Sequence, residues 1–232
     1  MESRRKKKII TYSMLMIISL SVYANDIYVN QSGATLDLDI TQDGQNNTVG
    51  SASTASSVIG ATTNLAITQI GDSNVMTFDV NGATYTGTYS VTGDSNNIDF
   101  NCDSGGSNSS CGTATASIVW VGSSNDIDID IGETSSATSA TVGITGASGS
   151  DSNTILGTID GNSAILTLSV NGDTNNFLVD IDGNGDSVGH TYIHTHTGSI
   201  ADVDITQSGI YDNMITLTTS GDNHDIDITQ TD

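Results

Sequence analysis

The sequence predicts an all-β solenoid of about eight two-strand coils, and three observations predict it. Glycines recur every 11 residues: Gly33 and Gly44; Gly60, Gly71, Gly82 and Gly93; Gly161, Gly172 and Gly183; Gly198 and Gly209. Between them apolar and polar residues alternate, as in Leu36-Asp-Leu38-Asp-Ile40, Ile127-Asp-Ile129-Asp-Ile131, Val179-Asp-Ile181, Val203-Asp-Ile205 and Ile226-Asp-Ile228. The 232 residues include no proline, as a chain of interior strands requires, because each strand N–H must donate to a neighbour.

The first 24 residues read as an export signal. A basic run, Arg4-Arg5-Lys6-Lys7-Lys8, precedes an apolar stretch from Ile9 to Val22, and Val22-Tyr23-Ala24 has the small-residue pattern of a cleavage site. The stretch is shorter than the roughly twenty residues of a membrane span. Residues 25–232 are then the repeat domain, secreted or held at a cell surface. All five basic residues lie in the signal, and 27 acidic residues give the whole chain a net charge of −22. A surface without Lys or Arg has nothing to neutralise phosphates, which excludes nucleic acid as a partner. The same lack excludes a P-loop, a Lys Schiff base and an arginine finger.

Strand and tight turn alternate through the repeat domain. One turn is Gly-x-x-Asn: Gly44 to Asn47, Gly71 to Asn74, Gly93 to Asn96, Gly122 to Asn125 and Gly172 to Asn175. The other, at Gly33, Gly82, Gly161 and Gly183, lacks the Asn. The full period is therefore 22 residues, with two strands and two turns per coil. Stacking such coils buries the apolar face that no single coil could bury alone. The rhythm slips by insertion near Ser51–Ala55, Asp103–Ser110, Thr134–Ser139 and Asn184–Gly189, all rich in Ser, Thr, Gly or Asp and read as loops leaving the stack. The second insertion carries Cys102 and Cys111, the only two cysteines, which in an exported chain read as one disulfide stapling that loop rather than the core.

Some units carry more than Gly and Asn. Ile40-Thr-Gln42-Asp-Gly44-Gln-Asn-Asn47 and Ile67-Thr-Gln69-Ile-Gly71-Asp-Ser-Asn74 both read Gln-x-Gly-x-x-Asn. Ile205-Thr-Gln207-Ser-Gly209, Val29-Asn-Gln31-Ser-Gly33 and Ile228-Thr-Gln230 begin the same way. This resembles the curlin repeat of curli amyloid subunits, in the divergent acidic form also found in marine bacteriophages of cyanobacteria. The resemblance implies a curlin-like β-solenoid with stacked Gln and Asn ladders. It also implies a secreted structural protein that polymerises head to tail into an amyloid-like fibre or surface coat, as in biofilm and cell adhesion. The alternative is a monomeric or virion-associated adhesin whose inserted loops meet a host cell surface or virion proteins. The chain departs from the family in its many strand aspartates, its inserted loops, its cysteine pair, and the Val or Ile that replaces Gln before Gly82, Gly93, Gly161 and Gly172.

Few residues suggest chemistry, and we expect no enzyme. Asp180-Ile-Asp182-Gly-Asn184-Gly-Asp186 matches the first half of a calcium loop, but Thr191 stands where the twelfth-position Glu belongs. Calcium is the one cofactor this pattern admits. His190, Tyr192, His194 and His196 share one parity; three imidazoles on one face could hold a transition metal, and an exposed neutral face is the plainer expectation. The repeated aspartates (Asp37, Asp39; Asp126, Asp128, Asp130; Asp225, Asp227) read as a solvated polar face. Thr-x-Thr steps at Thr86/Thr88, Thr113/Thr115 and Thr216/Thr218 are too irregular to read as an ice-binding face. Trp120, Tyr85, Tyr89 and Phe100 are expected in the core or at coil edges.

Overall fold

A computed structural model describes residues 26–231, except 45–46, 51–53, 72, 103–110, 133–138, 148–151, 162, 173, 183–188, 199–200 and 222. Residues 1–25, which include the expected signal, most of the four insertions, and Asn184 and Asp186 lie outside the described residues.

Alternation at period two places one set of side chains inward and the other outward, and the glycine turns let the chain double back every half coil. The result is a β-solenoid of about seven turns, close to the eight expected, with 17 strands and no helix among the described residues. One column holds β1 (Asp26–Ile27), β3 (Thr48–Val49), β5 (Val75–Asn81), β7 (Asn97–Cys102), β9 (Asp126–Ile131), β11 (Thr154–Asp160), β13 (Asn175–Asp182), β15 (Ala201–Gln207) and β17 (His224–Gln230). The second holds β2 (Asn30–Asp43), β4 (Ser56–Ile70), β6 (Thr84–Thr92), β8 (Thr113–Val121), β10 (Ser139–Gly146), β12 (Ala164–Asn171), β14 (Thr191–Thr197) and β16 (Met214–Thr218). Pairing is parallel throughout each column, and the first residues of β2 and β4 cross into the odd column, where Ser56 of β4 pairs with Phe78 of β5.

The coils stack so closely that the turns need glycine. A Cβ on Gly71 would collide with the carbonyl oxygen of Gly44, one on Gly93 with that of Gly71, and one on Gly122 with that of Gly93. Backbone approach between coils, more than turn conformation alone, is thus the physical source of the glycine rhythm.

Inward residues form ladders from coil to coil. Met76, Ile98, Ile127, Ile155, Phe177 and Val203 stack in the odd column, and all are buried. In the even column large and small residues are matched. Gly146 lies in register with Trp120, and a Cβ there would strike the indole ring. Gly87 sits between Tyr85 and Tyr89, whose hydroxyls hydrogen-bond to each other over it, and Phe100 stacks on Tyr85 with centroids 5.0 Å apart. These aromatics are core residues, fully buried.

Cys102 and Cys111 are joined, with Cα atoms 5.7 Å apart. Their position corrects the expectation of a loop staple. Cys102 is an inward ladder residue between Val80 and Ile131, and both cysteines are 0% exposed. The inserted residues leave the stack, but the bond that closes them packs inside it. Replacing both by alanine should lower the unfolding free energy by about 2–3 kcal/mol, the chain-entropy value for so short a loop. Chemical denaturation of the oxidised protein and the double variant checks this, and equal midpoints would show the bond to be idle.

Candidate functional site: interior polar ladders and two unlike faces

The Gly-x-x-Asn turns place an amide inside the stack. The residue before four of the ladder asparagines adopts a left-handed conformation, at Ser95 (φ 60°), Ser124 (58°), Ser152 (56°) and Thr174 (58°), and this turns the next side chain inward. The asparagines then bond to one another. Asn74 Nδ2 donates to Asn96 Oδ1 at 2.9 Å, Asn96 to Asn125 at 2.7 Å, Asn125 to Asn153 at 2.8 Å, and Asn153 to Asn175 at 2.8 Å. Each amide of the Gly-x-x-Asn turns also donates to its own turn glycine: Asn47 to Gly44, Asn74 to Gly71, Asn96 to Gly93, Asn125 to Gly122 and Asn175 to Gly172. Asn47 belongs to the same row, but its Nδ2 goes to Ile70 O at 2.8 Å. All six asparagines are at most 3% exposed. Sequence reading misses Asn153, because it follows Gly149 by four positions rather than three, which breaks the Gly-x-x-Asn spacing.

The glutamines divide in a way the repeat does not show. Gln42 and Gln69 lie in the even column, where Gln69 Nε2 donates to Gln42 Oε1 at 2.7 Å. Gln31, Gln207 and Gln230 lie in the odd column; Gln230 donates to Gln207 at 3.2 Å, and Gln31 faces Val58. Units alike in sequence thus occupy both columns, and the expected continuous Gln ladder is replaced by a pair near each end of the stack. Gly33 and Gly209 close the odd-column turns after Gln31 and Gln207.

The histidines reverse the sequence expectation. Thr191, Ile193, Thr195 and Thr197 face outward, while Tyr192, His194 and His196 stack inward on Leu166, Leu168 and Val170. His190, His194 and His196 are at most 1% exposed. Either parity of this strand could have been buried; the apolar row of β12 beneath it decides. The arrangement continues the amide ladder. Ala201 stands where the coil after Asn175 would carry its Asn, and His196 Nε2 fills the gap, 3.0 Å from Asn175 Nδ2. One coil further His224 takes the ladder position, its ring edge-on to His196 at 5.5 Å. The spacing from Gly221 to His224 is that of Gly-x-x-Asn with His in the last place, the signal that could have found it. Burial holds His194 down at about 4, with His196 and His224 adding to the effect.

Outside, the two columns differ in charge. The odd column carries the aspartates in direct register: Asp99 on Asp128, Asp160 on Asp182, Asp202 on Asp225 and Asp204 on Asp227. Burial, with a neighbouring carboxylate, pushes Asp79, Asp99 and Asp180 above the usual carboxylate range. Asp37 and Asp39 lie instead on the even column, where Asn64 donates to Asp37 at 2.9 Å. Of the calcium pattern, Asp180 and Asp182 point outward from β13, and Asp182 accepts from Ser208. Asn184 and Asp186 are outside the described residues, and among those described no three His, Cys, Asp or Glu gather as metal ligands. No described helix is long and apolar enough to cross a membrane.

Comparison with family models, with curated proteins and with solved structures finds no match to this chain.

Proposed function

We propose that the protein is an exported, non-enzymatic structural subunit of the curlin-like kind, assembling by coil-on-coil stacking into an amyloid-like fibre or surface coat. The observation that carries the reading is the likeness of two end strands, β2 at one end of the even column and β17 at the opposite end of the odd column. β2 presents Leu38-Asp-Ile40-Thr-Gln42 and β17 presents Ile226-Asp-Ile228-Thr-Gln230, with Leu38 and Ile226 only partly buried and Ile228 44% exposed. With the second copy turned half a revolution about the stack, so that its even column continues the odd column of the first, these strands lie one on the other in parallel and set Leu and Ile on Ile and Gln230 on Gln42, which extends both the apolar and the glutamine rows.

The same register sets Asp225 over Asp37 and Asp227 over Asp39. Like charges about 4.8 Å apart in water repel by roughly 0.9 kcal/mol per pair. The repeat domain has no Lys or Arg to offset them, so counterions or protons must. Assembly is therefore slow at neutral pH and low salt, and faster with millimolar calcium or near pH 4, where carboxylates protonate. Light scattering at fixed ionic strength, with calcium, with chelator and across pH 4–8, measures it, and electron microscopy reads the product. Rates indifferent to all three, or amorphous product, would reject end-to-end stacking in this register.

A further inference from the structure

The outer face of the even column is unlike the rest of the surface. From β4 to β16 its outward positions carry no charged side chain. They are mostly threonine and serine in register, as in Thr62–Thr84–Thr113–Ser139 and Thr86–Thr115–Thr141. Apolar side chains lie exposed among them: Ile70 45%, Val119 40%, Val121 44% and Met214 46%. Ile70 and Val121 flank Thr92 on one ladder. The Thr-x-Thr steps that look irregular in sequence thus fall on one continuous sheet face.

We propose that this face is an interface on which a second copy of the chain packs sheet to sheet. Charge selects the occupant. Two odd-column faces brought together would oppose their aspartate rows, with no described cation between them, whereas the even-column face from β4 onward offers hydroxyls, methyls, aliphatic groups and the uncharged amides of Asn64 and Asn171. Area permits it. Seven coils at about 4.8 Å and strands of about seven residues at roughly 3.3 Å present about 800 Å² per copy, which matches the roughly 800 Å² per partner of a stable interface. Threonine and valine are β-branched, so their first side-chain torsion is already restricted and they lose little entropy when covered. No carboxylate from β4 onward lies on this face, so pairing does not wait for calcium or acid. It is thereby separable from the end-to-end stacking of the preceding section.

Sedimentation of the purified protein at neutral pH, in low salt with chelator, tests the proposal. A mass of two copies is expected. Ser117→Asp with Val119→Asp, at the centre of the face, should reduce it to one copy with unchanged strand circular dichroism. Leu156→Asp with Leu178→Asp, on the acidic face, should leave it at two. If the first double variant unfolds, Ser117→Asp alone gives the same reading. A wild-type mass of one copy, or a pair that survives carboxylates on this face, overturns the proposal. A single-copy protein that holds the freezing point of its solution below the melting point, a thermal hysteresis no ordinary solute produces, overturns it as well and assigns the threonine rows to ordered water.

Discussion

Asn125→Ala should lower the stability of the solenoid by about 3–5 kcal/mol, although it removes no apolar contact area of note. Asn125 stands mid-ladder. Its amide donates to Gly122 O at 2.7 Å and to Asn153 Oδ1 at 2.8 Å, and its oxygen accepts from Asn96 Nδ2 at 2.7 Å and from the Asn96 backbone N–H at 3.3 Å. Truncation deletes these bonds and leaves buried partners on both neighbouring coils short of a bond. Each such group costs about 1–3 kcal/mol, and several are affected at once. Asn125→Asp should be no milder at neutral pH, because a carboxylate oxygen then faces Asn153 Oδ1 and cannot donate. Its defect should shrink on acidification, since the protonated carboxyl regains a donor. Asn176→Ala, at an exposed outward position one residue along from Asn175, should stay within about 0.5 kcal/mol of wild type. Denaturation followed by fluorescence of the buried Trp120, the only tryptophan, reads all three. Equal midpoints for Asn125→Ala and Asn176→Ala would reject the ladder as a stabilising device.

His194 should give the protein an acid-labile end. Its ring is enclosed by Tyr192, whose hydroxyl is 2.8 Å from Nδ1, by Phe177 at 5.1 Å and by His196 at 6.1 Å, with Leu168 and Leu217 in register. The titratable groups about it are Tyr192, His196 and His224, and no carboxylate is among the inward residues of these strands. The folded ring resists protonation down to about 4, whereas an unfolded histidine takes its proton near 6.5. Between those values the unfolded chain binds more protons. Stability therefore falls as pH drops from about 6.5 to 4, by about 3 kcal/mol when complete. Asp79, Asp99 and Asp180 act in the opposite sense. Their raised values mean that the folded chain binds protons more readily, so acid stabilises through them, and the effect is complete below the ordinary carboxylate range. The unfolding midpoint against pH should thus show a dip on the acid side of neutrality. His194→Leu, which joins the leucines above and below it, should remove the dip. Superimposable profiles for the two proteins would place the acid response elsewhere. The dip also means that calcium at neutral pH is a cleaner trigger of end-to-end assembly than acid, which loosens the last coils while it neutralises the aspartates.

The two-column architecture was legible in the chain, and the coil count to within about one. Gly71, Gly93 and Gly122 mark where backbones touch, and that constraint admits no other residue, so it prints directly on the sequence. The alternation in Ile127-Asp-Ile129-Asp-Ile131 likewise states which side is buried, because only one parity is apolar. Where both parities are mixed, sequence falls silent. Thr191–Thr197 turns its histidines inward because β12 already offers the apolar row Leu166, Leu168 and Val170, a fact held by residues 26 positions away. Gln42 and Gln207 sit in like motifs yet in different columns, since the column is set by how many half coils precede each one. The charge-free threonine face could not be read either. Its rows join Thr86, Thr115 and Thr141 across insertions of unequal length, and only the hydrogen-bonded register of the stacked coils brings them into line. Composition and spacing determined what each coil must be; the register between coils, fixed by parallel backbone pairing and packing of the interior, decided which side chains meet and which face is left bare.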